Sequence, residues 1–201
     1  QGRMDVDRQA YRPAVVYLNG AYWGLYDMRE KMDEDFVENT YGLNEDEFDM
    51  LEQSGLLVCG SKTAWLDFYS FVSKTNFTSP AAYAQMQARM DVNEFMNYLI
   101  PHMFGGFTSW PKRNTRFWDD HGDAFGWRWM LRDLDSTFEK KGIAQNTIKQ
   151  AAAGGPTASV YKQLLKNAAF QAEFAQRFAA HLNTTYEPAR VIGIIDDMAA
   201  A

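Results

Sequence analysis

Hydrophobic and polar positions alternate with a period of two in two parts of this chain and recur every three to four positions through most of the rest. The first alternation lies in residues 13–28. Residues 15–18 and 22–28 are β-rich runs, and the Asn19-Gly20 pair between them accepts positive φ, so the pattern predicts a tight hairpin. Gly24 interrupts the second run and predicts a bulge or a close backbone approach. The second alternation lies within residues 107–138. There Thr115 and Phe117 alternate with Arg116 and Trp118, while Phe125, Trp127, Trp129 and Leu131 alternate with Gly126, Arg128, Met130 and Arg132. The polar segment DDHGDA separates the two runs and predicts a second hairpin.

Helical spacing accounts for most of the remaining chain. Residues 33–42 predict a short helix with acidic residues in its first turn and Gly42 past its end. Trp65, Phe68, Tyr69 and Val72 mark a second helix, Pro80 opens a third, and the Asp91 to Glu94 spacing predicts a capping box for a fourth that buries Phe95, Tyr98, Leu99 and His102 or Met103. The GLLVCG segment predicts a short buried strand. Residues 139–159 hold few large apolar side chains and predict a mobile loop. Beyond it, Tyr161, Leu164 and Leu165 form the apolar side of one helix. Phe170, Phe174, Phe178 and Leu182 line the next, with Asn167 as its cap, and a last helix after Pro188 turns Val191, Ile194 and Ile195 towards the same body. Strand runs interspersed with helices give an α+β class in one domain.

Composition narrows the function. The 201 residues are 46% hydrophobic, enough for a substantial core, and the formal net charge of -6 with no basic run excludes a nucleic-acid binder that works through a broad cationic face. The single Cys59 excludes an internal disulfide and a cysteine-based zinc site. No apolar run reaches membrane-spanning length.

The residues with chemistry to offer lie at the ends of the second hairpin. Asp133 and Asp135 leave its last strand two positions apart, and if the extended conformation continues they project from one face. Like charges held together repel unless a cation lies between them. Asn114, at the start of the same hairpin, brings an amide oxygen towards them, and an amide with carboxylates is a ligand set for Mg²⁺, Mn²⁺ or Ca²⁺. A turn or a helix cap is the competing reading of an Asp-x-Asp spacing. Glu30 and Lys31, in the charged trio behind the first hairpin, are either solvated or arranged so that the glutamate orients a catalytic cation. His102, on a helix beside Met103 and Phe104, is read as a structural residue.

Three blocks in this order, YLNGAYWGLY with REK behind it, TSWPKRN with FW following, and WRWMLRDLDSTF, resemble the CotH kinase family, the spore-coat protein H type of atypical protein kinases. The resemblance extends from about Arg12 through the C-terminal helices. It implies a single, partial CotH kinase-like domain over residues 1–201, with a hairpin region at 12–31, a metal and catalytic region at 91–138 and C-terminal helices at 158–201. It also implies that the family's first strands, with an R-G-x-S segment and a phosphate-binding Lys, precede this chain. The expected activity is ATP- and divalent-metal-dependent phosphorylation of Ser or Thr in surface or secreted proteins, with an extracellular, cell-surface or spore-coat location. Expected partners are a nucleotide and a protein substrate or coat partner, without nucleic acid and without a membrane span.

Carried over by position, Asn114 matches the metal-binding Asn of protein kinases and Asp133 the downstream metal-binding Asp, with Asp135 in support and Glu30 and Lys31 at the nucleotide site. Two positions depart from the pattern. Ser109 stands where the family has its catalytic Asp, and Phe107 where it has Asn. A hydroxyl cannot accept a proton as a carboxylate does, so the resemblance also leaves room for a pseudokinase or a non-enzymatic surface module.

Overall fold

The computed structural model describes residues 4–122 and 124–200, so Asp123 of the second hairpin's turn lies outside the described residues. The chain is α+β, with 46% helix and 19% strand. A five-stranded sheet lies at its centre in the order β1-β7-β6-β4-β5, with a separate two-stranded ribbon, β2-β3. The sheet strands are β1 (Asp7–Arg8), β4 (Asp49–Glu52), β5 (Leu56–Cys59), β6 (Arg116–Asp119) and β7 (Arg128–Leu131). β1 runs parallel to β7 and the other pairs are antiparallel, with Phe117 opposite Trp129 and Trp118 opposite Arg128.

Period two is why this sheet is buried on both sides. Phe117 and Trp129 turn towards one core with Trp65, Phe95 and Leu99, while Trp118 and Met130 turn towards a second core with Met32, Phe36, Val37 and Phe48. The first core is closed by α2 (Thr63–Lys74), α3 (Pro80–Gln87) and α4 (Val92–Phe104), and the second by α1 (Glu34–Tyr41). α1 begins at Asp33 and stops at Gly42, which is left-handed, as the sequence predicts.

The first hairpin is also as expected. β2 (Tyr11–Leu18) and β3 (Ala21–Arg29) are joined by Asn19 and Gly20, both at positive φ, and the register shifts between Val16 and Tyr17, opposite Gly24.

Four expectations change. Residues 139–159 are not a featureless loop: α5 (Thr147–Ala151) is capped by Asn146, buries Ala151 and packs on α4, and α6 (Gly155–Leu164) starts inside the segment. Alanine leaves no hydrophobic period to read, yet it fits where a helix approaches its neighbour closely. β5 is a strand but Leu56 and Leu57 are exposed, because it is the sheet's outer strand. α7 (Ala168–Leu182) is capped by Asn167 and buries Phe170 and Phe174, whereas α8 (Pro188–Ala200) buries none of its side chains, so Ile194 and Ile195 face outwards. Finally, the capping box at α4 is half made. The Asp91 carboxylate accepts the Glu94 N–H, but the Glu94 carboxylate turns away to accept the backbone N–H of Trp129 in β7, 3.0 Å off. Among the described residues no helix is long and apolar enough to cross a membrane.

Candidate active site

The candidate residues lie on two loops and a strand end, and of Ser109, Asn114, Asp133 and Asp135 only the two aspartates line a common cleft. The first loop follows α4. Phe107 and Trp110 are buried in the core, and Ser109 between them is exposed. The loop is tied down by Gln150 of α5, whose Nε2 donates to the carbonyls of Phe107 (2.7 Å) and Trp110 (2.6 Å). Trp110 Nε1 donates to the Tyr98 hydroxyl at 2.8 Å, and its ring stacks on His102 with centroids 4.6 Å apart. His102 is therefore structural, as expected. Its Nδ1 carries the proton, since it faces the Tyr98 carbonyl at 2.9 Å, and burial pushes its pKa down to about 4. Asn114, half-buried at the end of this loop, has φ 60°.

The second loop follows β7, and here the geometry corrects the sequence. The strand ends at Leu131, and Asp133 has φ 55°, so the two carboxylates are not placed by strand alternation. They lie in the loop that follows the strand, and Asp133 and Asp135 both line a cleft of about 340 Å³. Asn114 and Asp133 thus share a backbone conformation that Asn and Asp tolerate better than other residues, and residues held in sparsely populated conformations gather at functional sites. Past the dyad, the Phe138 N–H donates to the Gly105 carbonyl at 2.7 Å, and a Cβ on Gly142 would come within 2.8 Å of the Gly106 carbonyl oxygen. That close approach latches the second loop onto the first.

The cleft holds both signs of charge. Its walls are Arg8 and Gln9 from β1 and the residue after it, Tyr11 and Arg29 from the hairpin, and residues 131–135. Arg132 is held by Glu52 of β4 at 3.5 Å, and burial together with the nearby Arg116 lowers its pKa. Asn114 is not among the residues lining this cleft. Glu30 and Lys31 do not act as a pair. Glu30 accepts the Ala10 N–H at 3.1 Å and its carbonyl accepts from Gln9 Nε2 at 2.9 Å, so it fixes the segment that carries Arg8 and Gln9; Lys31 pairs with the buried Asp33.

Beneath β1 lies a buried charge cluster that no sequence pattern announced. Asp7 accepts from the Tyr41 hydroxyl, from Trp118 Nε1 at 2.8 Å and from Arg128 at 3.2 Å, and Arg128 also donates to Asp91 at 2.7 Å. Glu94 is fully buried beside them with one oxygen unpartnered among the described residues, and burial, with the Asp7 charge, raises its pKa well above the carboxylate range. The available signal was Arg128, a charged residue between two tryptophans on a strand whose other residues are all apolar.

The donor set can be tested for a divalent cation. Among the described residues no group of three or more His, Cys, Asp or Glu side chains is arranged to hold one. The two carboxylates that line the cleft match in number what Mg²⁺ commonly takes from protein, the rest of its shell coming from substrate phosphates and water. The family model described as CotH kinase protein matches residues 2–201. The chain belongs to the CotH kinase family. No curated relative matches it. Membership makes this a kinase-like domain and gives a nucleotide and a divalent metal as the ligands its family works with.

Proposed function

We propose that this chain binds a nucleoside triphosphate with its divalent cation in the Asp133 and Asp135 cleft, and that it descends from kinases that phosphorylate Ser or Thr in surface or secreted proteins. The observation that carries the reading is the cleft's mixed lining. Two carboxylates and three arginines line one cleft, and a metal-chelated polyphosphate offers a cation to the first set and phosphate oxygens to the second. Asp133 and Asp135 would hold the cation, which neutralises charge developing on the transferred phosphoryl group. Arg8, Arg29 and Arg132 would orient the phosphates, and Tyr11 supplies an apolar wall at the cleft mouth.

A second reading rests on one residue. Ser109 occupies the position of the family's catalytic Asp, and without a carboxylate the acceptor hydroxyl loses its proton acceptor. That favours a nucleotide-binding pseudokinase or a surface or coat binding module, and under either reading the chain as written is a weak catalyst. Because Ser109 is exposed on a loop held by its buried neighbours, a carboxylate fits there without disturbing the fold.

Transfer of labelled γ-phosphate from ATP to a Ser-rich peptide, with Mg²⁺ or Mn²⁺, tests the proposal in three proteins. Wild type should give slow transfer, Asp133→Ala none, and Ser109→Asp an increase of roughly 10²-fold, the usual contribution of a positioned general base. Nucleotide-induced stabilisation without transfer, even in Ser109→Asp, would select the pseudokinase. Neither transfer nor stabilisation by nucleotide would overturn nucleotide binding altogether.

A further inference from the structure

The arginines near the cleft are not held alike. Arg116 and Arg132 share a single oxygen, Oε2 of Glu52. Arg116 is fastened by two short bonds, 2.7 Å to that oxygen and 2.6 Å to the carbonyl of Met32. Arg132 has one contact at 3.5 Å to an oxygen already engaged, and among the described residues no other hydrogen bond to its side chain. Arg132 also lines the cleft, with Arg8, Arg29 and the two aspartates. One glutamate therefore serves two guanidinium groups, and the loosely held one borders the open cleft.

We propose that Arg132 is a relay: it rests on Glu52 in the free protein and transfers to a phosphate oxygen when a polyphosphate enters the cleft, leaving Glu52 to Arg116 alone. This deepens the nucleotide reading by naming the group that answers the ligand's charge, and the steps follow from charge balance. A guanidinium with a distant, shared partner gains by moving to unshared oxygens, where two parallel N–H donors meet two phosphate oxygens. The departure leaves no orphan, because Arg116 keeps Glu52 neutralised. Through Glu52, β4 senses occupancy of a cleft formed by β1, the hairpin and the β7 exit.

Metal-free binding of inorganic tripolyphosphate, measured by calorimetry in the presence of a chelator, isolates the relay from the cation site. Arg132→Gln should weaken binding roughly tenfold, the loss of one charge-assisted bidentate contact. Glu52→Gln should tighten binding several-fold by releasing Arg132. In the double variant the Glu52 effect should vanish, because there is no arginine left to release. Thermal melting of each variant confirms that the fold is retained. No binding by wild type, no loss in Arg132→Gln, or equal tightening by Glu52→Gln with and without Arg132 would each overturn the relay, the last showing a uniform change of field instead. Failure of the kinase reading is separate: tripolyphosphate would bind as described, while Mg²⁺ or Mn²⁺ would add nothing to the affinity for ATP.

Discussion

Trp129 and Trp23 are both strand tryptophans near the middle of a β-hairpin, yet Trp129 has no exposed surface and Trp23 is 60% exposed. Their surroundings explain the difference. Trp129 lies in β7, with strands on either side and α4 across its face, and its Nε1 donates to Thr157 at 3.0 Å. Trp23 lies in a ribbon of two strands, and its Nε1 donates to the Tyr26 hydroxyl within the same strand. Leu25, Val15, Tyr17 and Tyr22 are exposed with it, and α8 offers Ile194 and Met198 across a groove without closing over them. Strand sequence alone thus does not bury a residue; burial is decided by what the topology lays across it. A two-stranded ribbon without a covering layer is marginally stable, whereas the five-stranded sheet is fixed by packing on both faces.

This contrast sets the order of expected effects. Trp129→Ala should cost the most, about 3–5 kcal/mol, because it opens a cavity between Phe95 and Phe117 and leaves the Thr157 hydroxyl without its donor. Denaturant unfolding measures it, and a loss below 1 kcal/mol would mean that the central sheet is not the stabilising unit described.

The buried charges beneath β1 give the next effect, and its sign depends on pH. Glu94 has a raised pKa, so the folded state keeps a proton that the unfolded chain releases above the ordinary carboxylate pKa near 4.3. Its contribution is fully present below that value and is lost as pH rises towards the folded pKa. Glu94→Gln removes the ionisation and can still accept the Trp129 N–H, so it should flatten the alkaline decline and gain on the order of 1 kcal/mol near neutral pH. His102 acts on the other side. Its pKa is lowered to about 4, so stability is full above the unfolded value near 6.5 and falls as pH drops through that interval. Melting temperatures of wild type and Glu94→Gln across pH 4–9 check both arms, and parallel curves would show that Glu94 is already ionised in the fold.

How much of this was readable from the sequence follows the same division. Asn19-Gly20 announced the first hairpin because the turn needs two residues at positive φ, and the two alternating runs on either side of the polar DDHGDA segment announced the second. The strand alternation expected for Asp133 and Asp135 does not exist: β7 ends at Leu131 and Asp133 is left-handed, and both residues line the cleft from the loop that follows the strand. α5 escaped notice because alanines have no amphipathic period, although Gln150 on it holds the Ser109 loop. The arginines of the cleft were invisible for a different reason. Glu52 and Arg132 are 80 positions apart, and pairings at such separations are set by the fold rather than by any local pattern.

The hairpin supplies the smallest expected effect and the sharpest check on the comparison. Substituting Trp23 and Leu25 together by Ser removes two large apolar groups that are already mostly in water, so the change should stay within about 0.5 kcal/mol per residue in equilibrium unfolding. Intrinsic strand preference adds only a little, since it is mainly a measure of packing against neighbours, and these side chains have few. The measurement should be repeated over a range of protein concentrations. A cost that grows with concentration would show a second chain covering the ribbon in solution; a cost above 1 kcal/mol at every concentration would place the cover within the chain itself. A small, concentration-independent value would establish that the ribbon persists on its turn and cross-strand pairs alone, as the Tyr17 and Tyr22 edge-to-face contact with centroids 5.9 Å apart allows.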